Sequence, residues 1–187
     1  MMDLLFVDVE TGGLNPGVNS LLQVGMVAYI DGDIRDMLEF SIREENYVVS
    51  AYSLEYNGLD LYKDIYKLGV SKGDAVLNIT DFIKKNFLDK PVFVGHNPSI
   101  DKYFLRDLFT QCHMEMDDHI SHRMIDTMSL LWGLYIAGKV PYSACSSTGA
   151  YEYFKIPTPD KHRAIPDCVA TIDLFEHLID LLGGKGI

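Results

Sequence analysis

Asp8 and Glu10 close the apolar run Leu4-Leu5-Phe6-Val7-Asp8-Val9-Glu10, and Thr11-Gly12-Gly13 follows them. Such a run reads as a buried strand, on which residues i and i+2 share a face, roughly 7 Å apart along the backbone. Two carboxylates side by side repel, by about 4 kcal/mol if they come within roughly 4 Å at an intermediate dielectric. A hard divalent cation with oxygen ligands is the natural counter-charge. Alone, the pair reads first as a strand that ends in a solvated acidic turn. Two further groups of residues change that balance.

The second group is Gly95-His96-Asn97-Pro98-Ser99-Ile100-Asp101. It lies between a short apolar strand at 91–95 and the next helix, where open α/β sheets position ligands. Ser99 is predicted to be the N-cap, and Asp101 suits the positive end of the helix dipole, a purely structural role for it. The third group is His162-Arg163-Ala164-Ile165-Pro166-Asp167. Here Pro166 is predicted as the first helical residue, pushing Ile165 out of helical dihedrals. His162 then falls on the preceding loop and Asp167 in the first turn. Those two are either an exposed histidine with a dipole-complementing aspartate, or a mobile general base beside a metal ligand. Together the groups supply four carboxylates (Asp8, Glu10, Asp101, Asp167) and one titratable base, His162. Four converging carboxylates are costly without cations. A pair of cations about 3.5–4 Å apart makes them favourable, activates a water and stabilises the leaving oxygen of an in-line attack on phosphate.

The elements that must position these groups can be read from the pattern. Strands at 4–9 and 21–30 precede Asp31-Gly32-Asp33, a hairpin signal, and a third strand at 37–42. Val76, Ile79, Ile83 and Phe87 have helical spacing, as do Phe104, Leu105, Leu108, Phe109 and Cys112. A short strand at 123–125 leads to a helix at 127–137, with Asp126 as its cap. The last helix, 166–182, stops at Gly183-Gly184. A meander followed by alternating helix and strand defines an α/β domain with a mixed sheet.

Bulk properties bound the answer. With 187 residues, 48% hydrophobic and 11% aromatic, residues 1–187 are read as a single folded domain. No apolar stretch is long enough to span a bilayer and no basic leader opens the chain, so a cytoplasmic, membrane-independent protein is expected. Cys112, Cys145 and Cys168 form no disulfide or zinc pattern. A net charge of −11 argues against a tight grip on long polyanions and favours short substrates, strand termini or help from a partner.

The three groups resemble the motifs of the DEDDh exonucleases, a ribonuclease-H-like family that includes a polymerase proofreading subunit, ribonuclease T and oligoribonuclease. Asp8-Val9-Glu10-Thr11-Gly12-Gly13-Leu14 resembles the first motif, Gly95-His96-Asn97 with Asp101 the second, and His162 with Asp167 the third. Ile125-Asp126-Thr127 matches a recurrent stretch between the last two. The resemblance covers residues 3–180. It implies a ribonuclease-H-like mixed five-stranded sheet flanked by helices, and 3′→5′ hydrolysis of single-stranded ends, DNA favoured, to nucleoside 5′-monophosphates. Two Mg²⁺ or Mn²⁺ ions would bind Asp8, Glu10, Asp101 and Asp167, and His162 would take the proton from the attacking water. Thr11 and Gly12 would approach the terminal nucleotide, Leu14 would pack on its base, and Asn97 would order the strand or loop. A polymerase or replication partner is compatible with this reading. Ile100 stands where the family has phenylalanine, Gln23 replaces a frequent acidic residue, and Pro166 is unusual before the third-motif aspartate. The rivals are an exoribonuclease acting on short RNA or tRNA 3′ ends and a non-catalytic module with a nuclease-like fold. Oligomeric state is left open.

Overall fold

The computed structural model describes residues 3–158 and 162–184. Strands β1 (Leu4–Thr11), β2 (Leu21–Ile30) and β3 (Asp33–Ser41) form an antiparallel meander, and β4 (Val92–Gly95) and β5 (Met124–Asp126) add parallel to it. The order β3-β2-β1-β4-β5 is the mixed five-stranded sheet expected from the sequence. The β2–β3 hairpin turns at Asp31 and Gly32, with φ of 57° and 82°. Positive φ at both central residues gives the turn a twist that matches the flanking strands.

Six α-helices are described: α1 (Ala51–Asn57), α2 (Lys72–Asn86), α3 (Ser99–Gln111), α4 (Thr127–Ile136), α5 (Ser147–Phe154) and α6 (Ala164–Leu182). A π-helical turn, Leu61–Tyr66, follows α1, and a 3₁₀ turn, Tyr142–Cys145, precedes α5. The alternation of β1 sorts its side chains between two layers. Leu5 and Val7 pack with Val76, Ile79, Phe104 and Leu108 of α2 and α3. Leu4 and Phe6 pack with Cys168, Ile172 and Phe175 of α6. By the same period of two, Asp8 and Glu10 fall on the α6 side.

The approach of α6 to the sheet depends on Gly25 of β2, the partner of Asp8 in the β1–β2 register. A Cβ at Gly25 would meet Ala164 at 2.6–2.7 Å, so any side chain there would push away the helix that carries Asp167. Gln23, the departure from the family pattern, is buried and its side-chain oxygen accepts from the Ala164 N–H at 3.4 Å. It therefore helps dock the first turn of α6.

Two predicted helix starts are corrected. Pro98, not Ser99, is the N-cap of α3, and no side-chain hydrogen bond caps it. The last helix begins at Ala164, so Pro166 is its third residue and Ile165 is helical. A proline is tolerated there because the first four helical N–H groups have no intrahelical partner to lose. Asp126, by contrast, caps α4 as expected, accepting from Met128 N–H at 3.0 Å.

Candidate active site

Asp8, Glu10 and Asp167 each offer a carboxylate oxygen, and the three atoms lie within 4.8 Å of one another. β1 supplies two of them at i and i+2, and the first turn of α6 supplies the third. Asp167 also accepts from the Arg163 N–H at 3.1 Å, which folds the entry to α6 back on itself and fixes the aspartate.

Asp101 enters from the other layer. β4 pairs with β1 only from Leu4 to Phe6. Beyond that point Val9 N–H donates to Asp101 Oδ1, at 3.0 Å, in place of a strand. Asp101 stands outside the 4.8 Å group but close enough to act on it: its charge is the largest electrostatic influence on Asp8 after burial.

Burial and mutual repulsion raise the carboxyls of Asp8, Glu10 and Asp101 above the ordinary carboxylate range. Burial first, then Asp101, Glu10 and Asp167, push Asp8 well up. Glu10 is pushed up to about 8 by burial, Asp167 and Asp101, against the opposing Arg163 charge and a hydrogen bond from Asn57. Asp101 rises to about 6, mainly through burial, although the Val9 N–H opposes it. An all-oxygen donor set that repels itself this strongly fits a hard divalent cation.

A pH dependence follows. Because the folded chain binds protons more tightly than the unfolded one, this contribution to stability is complete below about pH 4. It is lost as pH rises through about 6 (Asp101) and about 8 (Glu10). The metal-free protein should melt several degrees lower at pH 8 than at pH 5, given about 2–4 °C per kcal/mol. Mg²⁺ or Mn²⁺ should restore more at pH 8 than at pH 5. Thermal denaturation in chelator and in metal checks this, and a flat or rising profile over that window would contradict it.

His162 lies in the loop before α6 with φ of 64°, a left-handed conformation uncommon outside glycine. Its ring centroid is 4.0 Å from that of Tyr56, with the planes tilted by 42°. Both rings line a cleft of about 210 Å³ together with Asp8, Glu10, Asp167, His96, Tyr151 and Thr171. A larger groove of about 700 Å³ shares Val9, Glu10 and Tyr56 with this cleft and adds Thr11, Gly13, Leu14, Tyr52, Asn97 and Asp101. Leu14 is largely exposed at its rim. Asn97, with φ of 57°, donates its N–H to Asp126 Oδ1 at 2.9 Å. Gly12 lies beneath the groove: its N–H donates to Ser20 and its carbonyl accepts from Ser50, while Gly13 does the lining. Ile100 also lines the groove, so the departure from phenylalanine leaves an apolar wall.

His96 sits in the cleft with Nδ1 3.0 Å from the Thr127 hydroxyl. Tyr52, Tyr56 and Asn57 of α1, and Tyr151 of α5, were missed by sequence reasoning. α1 and α5 are seven and eight residues long and carry no motif.

An acidic cluster and an adjacent histidine at the strand ends of a mixed five-stranded sheet form an arrangement suited to hydrolysing phosphodiesters. Over residues 5–175 the chain matches the family model described as Exonuclease, and it belongs to that family. It is a 3′→5′ exonuclease of the DEDDh type, from a family that depends on divalent metal. It is 26% identical over 194 residues to ribonuclease T of Haemophilus ducreyi, covering 97% of this chain and 87% of that one. It is 28% identical over 193 residues to ribonuclease T of Shewanella oneidensis, covering 95% and 83%. Its fold matches E. coli exonuclease I in complex with a dT13 oligonucleotide, with a TM-score of 0.83 at 15% identity. That match covers 98% of this chain but only 43% of exonuclease I, so the chain spans less than half of that protein. Among the described residues, no helix is long and apolar enough to cross a membrane.

Proposed function

We propose that the protein, acting as one domain, removes nucleotides singly from the 3′ ends of single-stranded nucleic acid, DNA among them. The products are nucleoside 5′-monophosphates. The observation that carries this reading is the convergence of Asp8, Glu10 and Asp167 within 4.8 Å, in a cleft shared with His162 and open to an apolar groove.

Asp8, Glu10 and Asp167 would hold one Mg²⁺ or Mn²⁺ ion, and Asp8 with Asp101 a second. Bound there, such ions activate the attacking water and stabilise the departing 3′-oxygen. His162 accepts the proton of that water at a ring nitrogen, and its contact with Tyr56 keeps the ring over the cleft. In the groove, Leu14 packs against the terminal base and the backbone of Thr11 and its neighbouring glycines borders the sugar. Asn97, tied to the α4 cap, holds the turn that leads into Asp101. At about 700 Å³ the groove has room for a splayed-out nucleotide, and the charge of −11 disfavours long duplexes.

A second reading, RNA 3′ ends, is favoured by one observation: the ribonuclease T relatives match over 83–87% of their length, against 43% for exonuclease I. Labelled single-stranded DNA and RNA of equal sequence, incubated with Mg²⁺, Mn²⁺ or chelator, test both. Mononucleotide release from DNA in metal alone is expected. Release from RNA only would move the assignment to the second reading, and no release from either would reject the function.

A further inference from the structure

Asn57 is the last residue of α1 and one of the few polar side chains buried in the molecule, at 6% exposed. It lines the groove beside Glu10 and Thr11. Its amide has partners on both sides. Oδ1 accepts from the Leu59 N–H at 3.2 Å, closing an Asx turn over Gly58. Nδ2 donates to the Thr11 carbonyl at 3.4 Å, and the side chain also reaches Glu10, whose charged form it favours through a hydrogen bond. We propose that Asn57 is a positioning residue for the site: it orients the Glu10 carboxylate within the acidic cluster and secures the end of β1. This inference rests on the reading of Asp8, Glu10 and Asp167 as metal ligands.

The end of β1 needs such a tether. The β1–β2 register shifts between Glu10 and Thr11, so the ladder is irregular just where the ligand stands. On the other side β4 pairs with β1 no further than Phe6. Asp101 and Asp167 are each held by a backbone N–H, from Val9 and Arg163. Glu10 has one more side-chain torsion than these aspartates and costs more to hold in one arrangement. Asn57 gives it the fixed donor that the backbone gives the other two.

The tether is itself anchored. Gly58 ends α1 with φ of 63°, and Leu59 behind it is buried with Leu22 and Ile65. With Oδ1 committed to Leu59, the amide turns its N–H groups toward β1. The residue type also matters. An aspartate here would set another carboxylate against Glu10, whereas an amide donates to it and adds no charge. A partner that orients a ligand in this way strengthens metal binding without touching the ion.

The test replaces Asn57 by serine, whose hydroxyl can keep the turn to the Leu59 N–H but is too short to serve Glu10 and Thr11. Mn²⁺ binding is measured by calorimetry on wild type, Asn57→Ser, Glu10→Gln and the double variant, with thermal melting to monitor the fold. Asn57→Ser should bind Mn²⁺ about 10–100-fold more weakly than wild type. In the Glu10→Gln background the same change should alter affinity by less than about twofold, because its effect runs through Glu10. A role confined to the turn would lower the melting temperature and leave the affinity of the folded protein alone. Wild-type affinity in Asn57→Ser, or an undiminished loss in the Glu10→Gln background, would overturn the proposal. If Asn57→Ser does not fold, NMR of the Asn57 side-chain amide decides. Its signals should shift with Mg²⁺ in wild type and much less in Glu10→Gln, and equal movement or none counts against the tether. Wild type that binds no Mn²⁺ rejects the metal site and the tether together, whereas tight binding by both wild type and Asn57→Ser rejects the tether alone.

Discussion

Asp8→Asn should abolish turnover while making the metal-free protein more stable. Asp8 is the acid nearest the sum of the cluster's repulsions: burial, Asp101, Glu10 and Asp167 all push its carboxyl upward. Asparagine keeps the shape of the side chain and removes the charge. Loss of one carboxylate from a cation pair forfeits several kcal/mol of transition-state stabilisation, a fall on the order of 10³-fold or more in rate. In chelator at pH 8 the same substitution relieves the repulsion, and the melting temperature should rise by a few degrees. The rise seen in wild type on adding Mg²⁺ should shrink or disappear. Opposite signs for activity and stability separate a functional acid from a structural one, because a structural aspartate would lose both. Full activity in a correctly folded Asp8→Asn would remove the metal-site assignment.

Much of this was legible in the sequence where local and tertiary demands agree. The run 4–10 is apolar except at Asp8 and Glu10, as suits a strand covered on both faces, and it forms one. The Asp31-Gly32 turn signalled the meander because a two-residue hairpin turn requires positive φ at both central residues, which this pair tolerates. The helix starts were less legible. Ser99 and Pro166 carry strong local preferences for the N-cap and the first helical position, yet each sits further into its helix than predicted. At α6 the start is set by docking on Gly25 and Gln23, some 140 residues away, which no local signal reports. The same holds for the aromatic wall. Tyr52, Tyr56 and Tyr151 sit on helices of seven and eight residues whose positions are dictated by packing. Helices so short have little intrinsic stability, so their propensities say little. Motif spacing revealed the acids, while the surfaces that would receive a nucleotide emerged only from the fold.

His162→Ala should lower kcat by about 10²–10⁴-fold, the range for removal of a positioned general base. KM should change little, because the groove that seats the terminal base is formed by other residues, chiefly Leu14, Tyr52 and Asn97. The sharper readout is the pH–rate profile. A base must be unprotonated to accept the proton, so the wild-type rate should rise with pH and level off once the ring is neutral. In His162→Ala that limb should vanish, leaving only the dependence set by the carboxylates and their cations. Two features make the histidine suited to this task. Its loop position with positive φ aims the ring from outside the sheet, and Tyr56 backs it at 4.0 Å between centroids. Tyr56→Ala should therefore reproduce part of the kcat loss while keeping the pH limb, since the base is still present but less firmly held. A His162→Ala enzyme that retained both its rate and its limb would assign proton removal to another group of the cleft, and the geometry around His162 would then serve the fold alone.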